Sequence, residues 1–241
     1  MTTLNPPIPN VRPSHRMDPP PLANGDRMDR EEFERRFDAT PGLKHAELIH
    51  GVVYMSPLRD EHHGEPHASI VTWLGYYVTK TPGLKFSSCP SVRLGAEDMP
   101  QPDALLRIPE NRGGQSRRTK DGYLEGPPEL IAEVSASSAS LDLNEKLELY
   151  RDRGVKEYIV WRVLEDSLDW FFLESGRYVP IRPDGESLFK SRTFPGLWLD
   201  ARALLSGELA RVFEVVDQGV AQSDHANFAA QLAENRRGDA V

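Results

Sequence analysis

Apolar and polar positions change their period several times along this chain, and the changes predict a series of strands and helices. Short apolar or alternating runs predict strands at His45–Met55 (a hairpin around His50-Gly51), Leu84–Leu94, Asp103–Ile108, Glu129–Val134, Lys156–Val163, Ser167–Leu173, Arg177–Ile181 and Ser187–Phe189. Helical spacing predicts helices at Arg27–Phe37, Pro66–Val78, Ala139–Arg151 and Asp200–Leu205. Strands with interposed helices are typical of the α/β (α+β) class, here a mixed β-sheet flanked by helices.

The two ends of the chain differ in pattern from its centre. Residues 1–25 are rich in proline and have no hydrophobic periodicity. Proline fixes φ and removes a backbone donor, so this segment is expected to be an extended, disordered tail. Residues 207–241 have a helical pattern that ends in a charged stretch, which predicts a helical extension. The region between them, residues 26–206, is expected to form one domain.

Composition is that of an ordinary soluble globular protein, and the charge disfavours one class of function. The chain is 39% hydrophobic and 27% charged, with no apolar run long enough to span a membrane. It begins without an apolar signal segment, so a cytoplasmic location is expected. The net charge of −8 disfavours a protein that binds polyanions through Lys and Arg alone. A divalent ion held by carboxylates can still supply positive charge at a site.

Cysteine and histidine offer limited scope for a metal site of their own. The single cysteine, Cys89, excludes an internal disulfide and a cysteine-based zinc site, and a free cysteine is typically a small buried hydrophobe. His62, His63 and His67 lie close together, but Pro66 interrupts them and no third ligand is near in sequence, which disfavours zinc. His67 is expected at the mouth of a site, touching substrate or a carboxylate; the alternative is an ordinary helix N-terminal residue.

Two carboxylates at predicted strand ends are the main candidates for chemistry. Asp103 begins one strand, and Glu133 lies in the apolar run of the next, where an ionised carboxylate is costly unless it is paired or binds a metal. Adjacent strands are about 4.8 Å apart, so the two could meet at one Mg²⁺ ion. The pattern alone leaves other interpretations open: Glu133 as an alternating, solvent-facing residue, Asp103 as a turn cap, and Lys146 as a solvated helix charge.

Several stretches together resemble the Uma-two family of the PD-(D/E)XK nuclease superfamily. They are ELIHGVVYMSP, the helix opening at His67, QPDALLRI, PPELIAEVSASSASLDLNEKLELYRDRGVKEYIVW and FPGLWLD, within residues 27–206. The resemblance implies a restriction-endonuclease-like core with a nuclease site that uses Mg²⁺ or Mn²⁺ and acts on DNA. It also implies that Asp103 and Glu133 are metal ligands and that Glu47 is a third acidic residue of the site.

The chain departs from the general signature of these nucleases at one position. The lysine expected two residues after Glu133 is replaced by Ser135, whose hydroxyl cannot supply positive charge at an attacked phosphate. The resemblance offers Lys146 on the following helix instead, and its long flexible side chain could reach the strand end. The expected catalytic residues are therefore Asp103, Glu133 and Lys146. Further expected site residues are Glu47, His67 and Ser135.

A basic loop follows the Asp103 strand and is a candidate for contact with phosphates, although such charges are usually solvated. Its basic residues are Arg112, Arg117, Arg118 and Lys120. Two other functions stay open beside the nuclease: a catalytically inactive nuclease-fold module for binding or assembly, and a metal hydrolase acting on a small substrate. A homodimer would suit an enzyme that cuts both strands, but the sequence shows no interface signature.

Overall fold

The computed structural model describes residues 19–40, 42–55, 63–136, 138–185 and 187–238. The helices in these ranges are α1 (Arg30–Asp38), α2 (Glu65–Lys80), α3 (Ala139–Leu143), α4 (Glu145–Arg153), α5 (Ala201–Leu205), α6 (Leu209–Val220) and α7 (Ser223–Gly238). The strands are β1 (Glu47–Ile49), β2 (Val52–Tyr54), β3 (Lys85–Ser88), β4 (Val92–Arg93), β5 (Ala104–Arg107), β6 (Arg117–Arg118), β7 (Leu124–Glu125), β8 (Leu130–Ser135), β9 (Glu157–Arg162), β10 (Ser167–Glu174), β11 (Arg177–Pro180), β12 (Leu188–Lys190) and β13 (Trp198–Asp200). Among these helices, none combines the length and the apolar character needed to cross a membrane.

A six-stranded mixed sheet forms the centre of the fold, in the order β11-β10-β9-β8-β5-β3. Its neighbours are antiparallel except β8 and β9, which are parallel. Parallel neighbours need a crossover connection, and helices α3 and α4 supply it. Smaller sheets are formed by β1-β2, β12-β13 and β4-β7-β6. The predicted class, a mixed sheet with flanking helices, is confirmed.

The central strands bury residues on both faces. Ala132 and Val134 of β8 belong to a core shared with α2, whereas Ile131 belongs to a second core shared with α4. Successive side chains of a strand point to opposite faces, so Glu133 and Ser135 lie on the same face as Ile131. This alternation directs Glu133 toward helix α4.

Helices α2 and α6 cover the opposite face of the sheet. The indole of Trp73 on α2 packs edge-on against Trp170 at 5.8 Å between ring centroids, and its Nε1 donates to the Trp198 carbonyl at 3.0 Å. Val212 and Val216 of α6 belong to this core. Helix α6 also lies very close to the β12-β13 hairpin at Gly219, where a Cβ would be 2.4 Å from the Gly196 carbonyl oxygen. Residues beyond 206 therefore contribute to the main core.

Most predicted elements agree with the structure to within a few residues. The hairpin is confirmed, and His50 and Gly51 both have positive φ at its turn. The Leu84–Leu94 stretch was wrong as one strand: it forms β3 and β4 in different sheets, separated at Cys89, which has φ of 48°. The predicted helix Ala139–Arg151 is divided at Asn144 into α3 and α4.

Part of the proline-rich segment packs against the fold. Leu22 is buried in a cluster with α1 and the β1-β2 hairpin, and the Gly25 amide donates to the Val53 carbonyl at 2.8 Å. Residues 1–18 of the predicted tail lie outside the described residues, as does His62. The domain limits at 26 and 206 stay predictions.

Candidate active site

Glu133 lies in the middle of a hydrogen-bonded cluster between β8 and α4. Its side chain is buried, at 3% exposure, which makes the interpretation as a solvent-facing strand residue wrong. Its Oε1 accepts from Lys146 Nζ at 3.1 Å and from the Tyr150 hydroxyl at 2.8 Å. Its Oε2 accepts from the backbone amide of Asp103 at 3.3 Å. Both oxygens are thus satisfied by named donors, as a buried carboxylate requires.

Asp103 directly precedes β5 and lies beside Glu133. The register Ala104↔Ala132, continued by one residue, sets Asp103 opposite Glu133. Asp103 Oδ2 accepts from the Val134 amide at 2.7 Å, and Oδ1 lies 2.9 Å from His63 Nε2. Each carboxylate therefore accepts a backbone amide of the other strand, which fixes the pair at one end of the sheet.

Lys146 brings its ammonium to the same place from the first turn of α4. The side chain is buried, and Nζ lies 2.9 Å from Glu47 Oε2, 3.1 Å from Glu133 Oε1 and 3.4 Å from Asp142 Oδ1. Glu47 on β1 is itself held by the backbone amide of Gln101, which donates to its Oε1 at 2.7 Å. The structure therefore brings Glu47, Glu133 and Lys146 together.

Ser135 supports this arrangement at the position where the general signature has lysine. Its hydroxyl donates to Asp142 Oδ2 at 2.5 Å, and the Ser138 hydroxyl donates to the same oxygen at 2.7 Å. The other Asp142 oxygen faces Lys146. Ser135 therefore acts on Lys146 through Asp142, by orienting the Asp142 carboxylate against the ammonium.

Negative charge exceeds positive charge in the cluster. Three carboxyl groups, those of Glu47, Glu133 and Asp142, contact the Lys146 ammonium, and the Asp103 carboxyl lies beside Glu133. Burial raises the pKa of Glu133 well above its usual value and raises that of Glu47, because desolvation penalises the ionised form.

Neighbouring charges act in the other direction on Lys146 and Asp103. Burial opposes the charge on Lys146, but the carboxylates of Glu133, Glu47 and Asp142 outweigh it and keep the lysine pKa well above normal. Burial also opposes ionisation of Asp103, yet its pKa is lowered, chiefly by the hydrogen bond from His63. The Asp103 side chain is 13% exposed, so an oxygen ligand can be reached from solvent. Excess negative charge and oxygen donors fit Mg²⁺ or Mn²⁺.

His67 lies next to Asp103, on the first turn of α2. Its Nε2 is 2.9 Å from the Asp103 carbonyl oxygen, 3.2 Å from Ser88 Oγ and 3.6 Å from Cys89 Sγ. The contact with Cys89, followed by that with the Asp103 carbonyl, raises the pKa of His67 to about 9 against an opposing effect of burial. Cys89 is only partly buried, so its interpretation as a buried hydrophobe is wrong.

The basic residues after β5 lie away from this cluster. Asp103 precedes β5 and Arg112 lies beyond its other end, and a four-residue strand is roughly 13 Å long at the usual rise per residue. Arg112 donates to the Leu232 carbonyl on α7, and Arg117 pairs with Glu125. Arg118 and Lys120 are exposed.

Asp142, Tyr150 and Cys89 lie around the site and were not expected there from the sequence. Asp142 and Tyr150 each lie four residues from Lys146, a spacing that aligns side chains on one helical face and could have identified both. Cys89 gave no such signal, because its neighbours His67 and Asp103 are distant in sequence and belong to other elements.

Comparison with known proteins places the chain in a nuclease family. The profile of the Uma2 family, described as "Putative restriction endonuclease", matches residues 30–202, and the chain belongs to this family. No curated protein matches significantly. A similar fold occurs in the crystal structure of "a putative nuclease belonging to DUF820" from Anabaena variabilis ATCC 29413, with TM-score 0.59 and 16% identity, over 74% of this chain and 98% of that one. The predicted family resemblance is confirmed.

Proposed function

We propose that this protein is a metal-dependent endonuclease that hydrolyses phosphodiester bonds of DNA. The observation that carries the proposal is the convergence of Asp103, Glu133 and Lys146 at one end of β5 and β8. Membership in the Uma2 family, whose description is restriction endonuclease, supports a nuclease rather than another hydrolase. A hydrolase of small molecules has no comparable support.

Asp103 and Glu133 would hold Mg²⁺ or Mn²⁺ through carboxylate oxygens, with Glu47 as the third acidic group. When bound, the ion would supply a water of lowered pKa and polarise the scissile phosphate. The ordinary burial penalty that raises the pKa of Glu133 and Glu47 would be offset by the cation's charge.

Lys146 would stabilise the negative charge that develops on the attacked phosphate, in the role that the general signature gives to the lysine after the glutamate. Its ammonium is held by Glu133 and Glu47, and Asp142 is oriented against it by Ser135. A charge fixed in advance by such contacts need not be reoriented during the reaction. Ser135 is thus proposed as a positioning residue.

The exposed basic residues Arg117, Arg118 and Lys120 are proposed to touch phosphates of the bound duplex away from the cutting point. Each phosphate contact makes the slope of log affinity against log salt concentration more negative by about 0.9 for duplex DNA. Replacing Arg118 by alanine removes one such contact, so the slope should become less negative by about 0.9, without a change in the preferred metal ion. Arg112, bound to α7, is expected to contribute less.

The test is cleavage of supercoiled plasmid with Mg²⁺ or Mn²⁺ by wild type and by Glu133→Ala. We expect nicked and linear product from wild type and loss of product from the variant, while Asp121→Asn, an exposed carboxylate paired with Arg93, serves as the matched control. Equal cleavage by wild type and Glu133→Ala would end the nuclease proposal. A wild type that binds DNA but cleaves with neither ion would favour the inactive binding module.

A further inference from the structure

We propose that His67, Cys89 and Asp103 form a second cation site, for zinc or another thiolate-binding divalent ion, and that this ion competes with Mg²⁺ for Asp103. Binding at the site stands on the geometry of these residues. Only its inhibitory consequence rests on the proposed nuclease function.

The sequence disfavoured zinc because the ligands are not close along the chain, but the fold brings Cys89 to His67 and Asp103, and the spacing of these donor atoms suits a tetrahedral ion. One ligand atom from each of the three residues lies within 4.8 Å of the others, and His67 Nε2 is 3.6 Å from Cys89 Sγ. At usual Zn–N and Zn–S bond lengths, tetrahedral nitrogen and sulfur ligands are roughly 3.6 Å apart. The imidazole and the thiol are thus at the separation that a zinc ion would impose.

Two paired strands and a helix hold these donors. Cys89 follows β3, and its amide donates to the Asp103 carbonyl at 3.0 Å, which extends the pairing of β3 with β5 by one residue. His67 comes from α2. Cys89 has φ of 48°, a conformation that a non-glycine residue rarely adopts and that tends to occur at functional sites.

His63 and solvent lie next to the three donors. His63 Nε2 lies 2.9 Å from Asp103 Oδ1 and the His63 ring stacks on His67 at 5.6 Å between centroids, so either His63 or a water is available to complete the coordination. Cys89 is partly exposed, which leaves the site open to solvent.

The donor types separate this site from the Mg²⁺ site. Thiolate and imidazole favour zinc over magnesium, whereas Glu133 and Glu47 offer only oxygen. Asp103 is shared by the two ligand sets. Zinc bound through Asp103 would remove one of the two strand-end carboxylates from Mg²⁺, so micromolar zinc should inhibit cleavage.

The test of binding uses Co²⁺ as a spectroscopic probe on the reduced full-length protein, followed by displacement with zinc. We expect one equivalent of Co²⁺ to give a thiolate-to-cobalt charge-transfer band that zinc abolishes. Cys89→Ser should lose the band and bind zinc about tenfold more weakly or worse. His67→Ala provides a second variant with the same expected loss. Absence of the band in wild type, or unchanged zinc affinity in both variants, would overturn the site.

A second arm separates this inference from the proposed function. Glu133→Gln, which should not cleave, should still give the cobalt band, because Glu133 is not among the three ligands. In Mg²⁺-driven plasmid cleavage, zinc should inhibit wild type and have at least tenfold less effect on Cys89→Ser. Zinc inhibition of equal strength in both proteins would refute competition at this site. A cobalt band in a wild type that does not cleave would leave the cation site standing and reject the nuclease.

Discussion

Nζ of Lys146 lies 3.1 Å from Oε1 of Glu133, although the two residues are thirteen positions apart, one on a helix and the other on a strand. The same ammonium also contacts Glu47 and Asp142. Both members of the pair are buried, so removal of one leaves the other without its main compensation. The proposed chemistry and the local stability therefore depend on the same buried group of charges.

Replacing Lys146 by methionine should reduce cleavage by about a hundredfold or more, the usual effect of losing one preorganised group that stabilises the transition state. It should also lower the free energy of unfolding at pH 7 by about 3–5 kcal/mol, because buried carboxylates lose their cation. Plasmid assays and urea unfolding would measure the two effects. Lys80→Met is the matched control, because Lys80 forms an exposed pair with Asp217 and exposed pairs contribute little to stability. Undiminished cleavage by Lys146→Met would contradict the role proposed for the lysine.

Exchanging the lysine and the serine tests whether the ammonium can reach Glu133 from either element. Ser135 and Glu133 share a face of β8, and Ser135 is linked through Asp142 to Lys146. The double variant Ser135→Lys, Lys146→Ser should therefore cleave better than Lys146→Ser alone, since it returns a cation to the strand. A double variant no more active than the single one would show that the helix position is required.

The raised pKa values of Glu133 and Glu47 predict a pH dependence of stability. Between pH 4.5 and the raised pKa values, the two carboxyl groups stay protonated in the folded state. In the unfolded chain, where their pKa is the ordinary 4.5, they have lost their protons over the same range. Stability therefore falls as pH rises from 4.5 toward the folded-state pKa, because the folded state binds more protons there. Urea unfolding across this range should show a shallower fall for Glu133→Gln than for wild type. Identical slopes would mean that Glu133 is ionised at its ordinary pKa.

Gly219→Ala tests the packing of α6 without touching the site. The added Cβ would be 2.4 Å from the Gly196 carbonyl oxygen and 2.9 Å from Trp198 Cγ, so helix and hairpin must separate. We expect a loss of about 1–3 kcal/mol in unfolding free energy, measured by urea titration. Cleavage per folded molecule should be unchanged, because α6 covers the face of the sheet opposite to Glu133. The control is Gln218→Ala, an exposed position on the same helix. A stable Gly219→Ala protein would argue against this close contact.

Local patterns were sufficient to predict most elements, whereas the roles expected of Asp103, Glu133 and Lys146 came from the family resemblance and stay predictions. The apolar run of β8 made Glu133 an anomaly, and the PP-ELIAEV context linked it to Asp103 and Lys146 through the family resemblance. The single strand predicted over Leu84–Leu94 overlooked Pro90, which follows Cys89 and cannot donate to a strand ladder. Which sheet each half joins depends on pairing partners that are distant in sequence.

The sequence by itself determined which side chains share a face, since a strand alternates with period two and a helix repeats every 3.6 residues. The tertiary structure decided which face is covered. The α3-α4 crossover between the parallel strands β8 and β9 lies over the Glu133 side, which turns a carboxylate that could have been solvated into the buried partner of Lys146. The tertiary structure also brought Cys89 to His67, because strand pairing and helix packing join residues that are far apart along the chain.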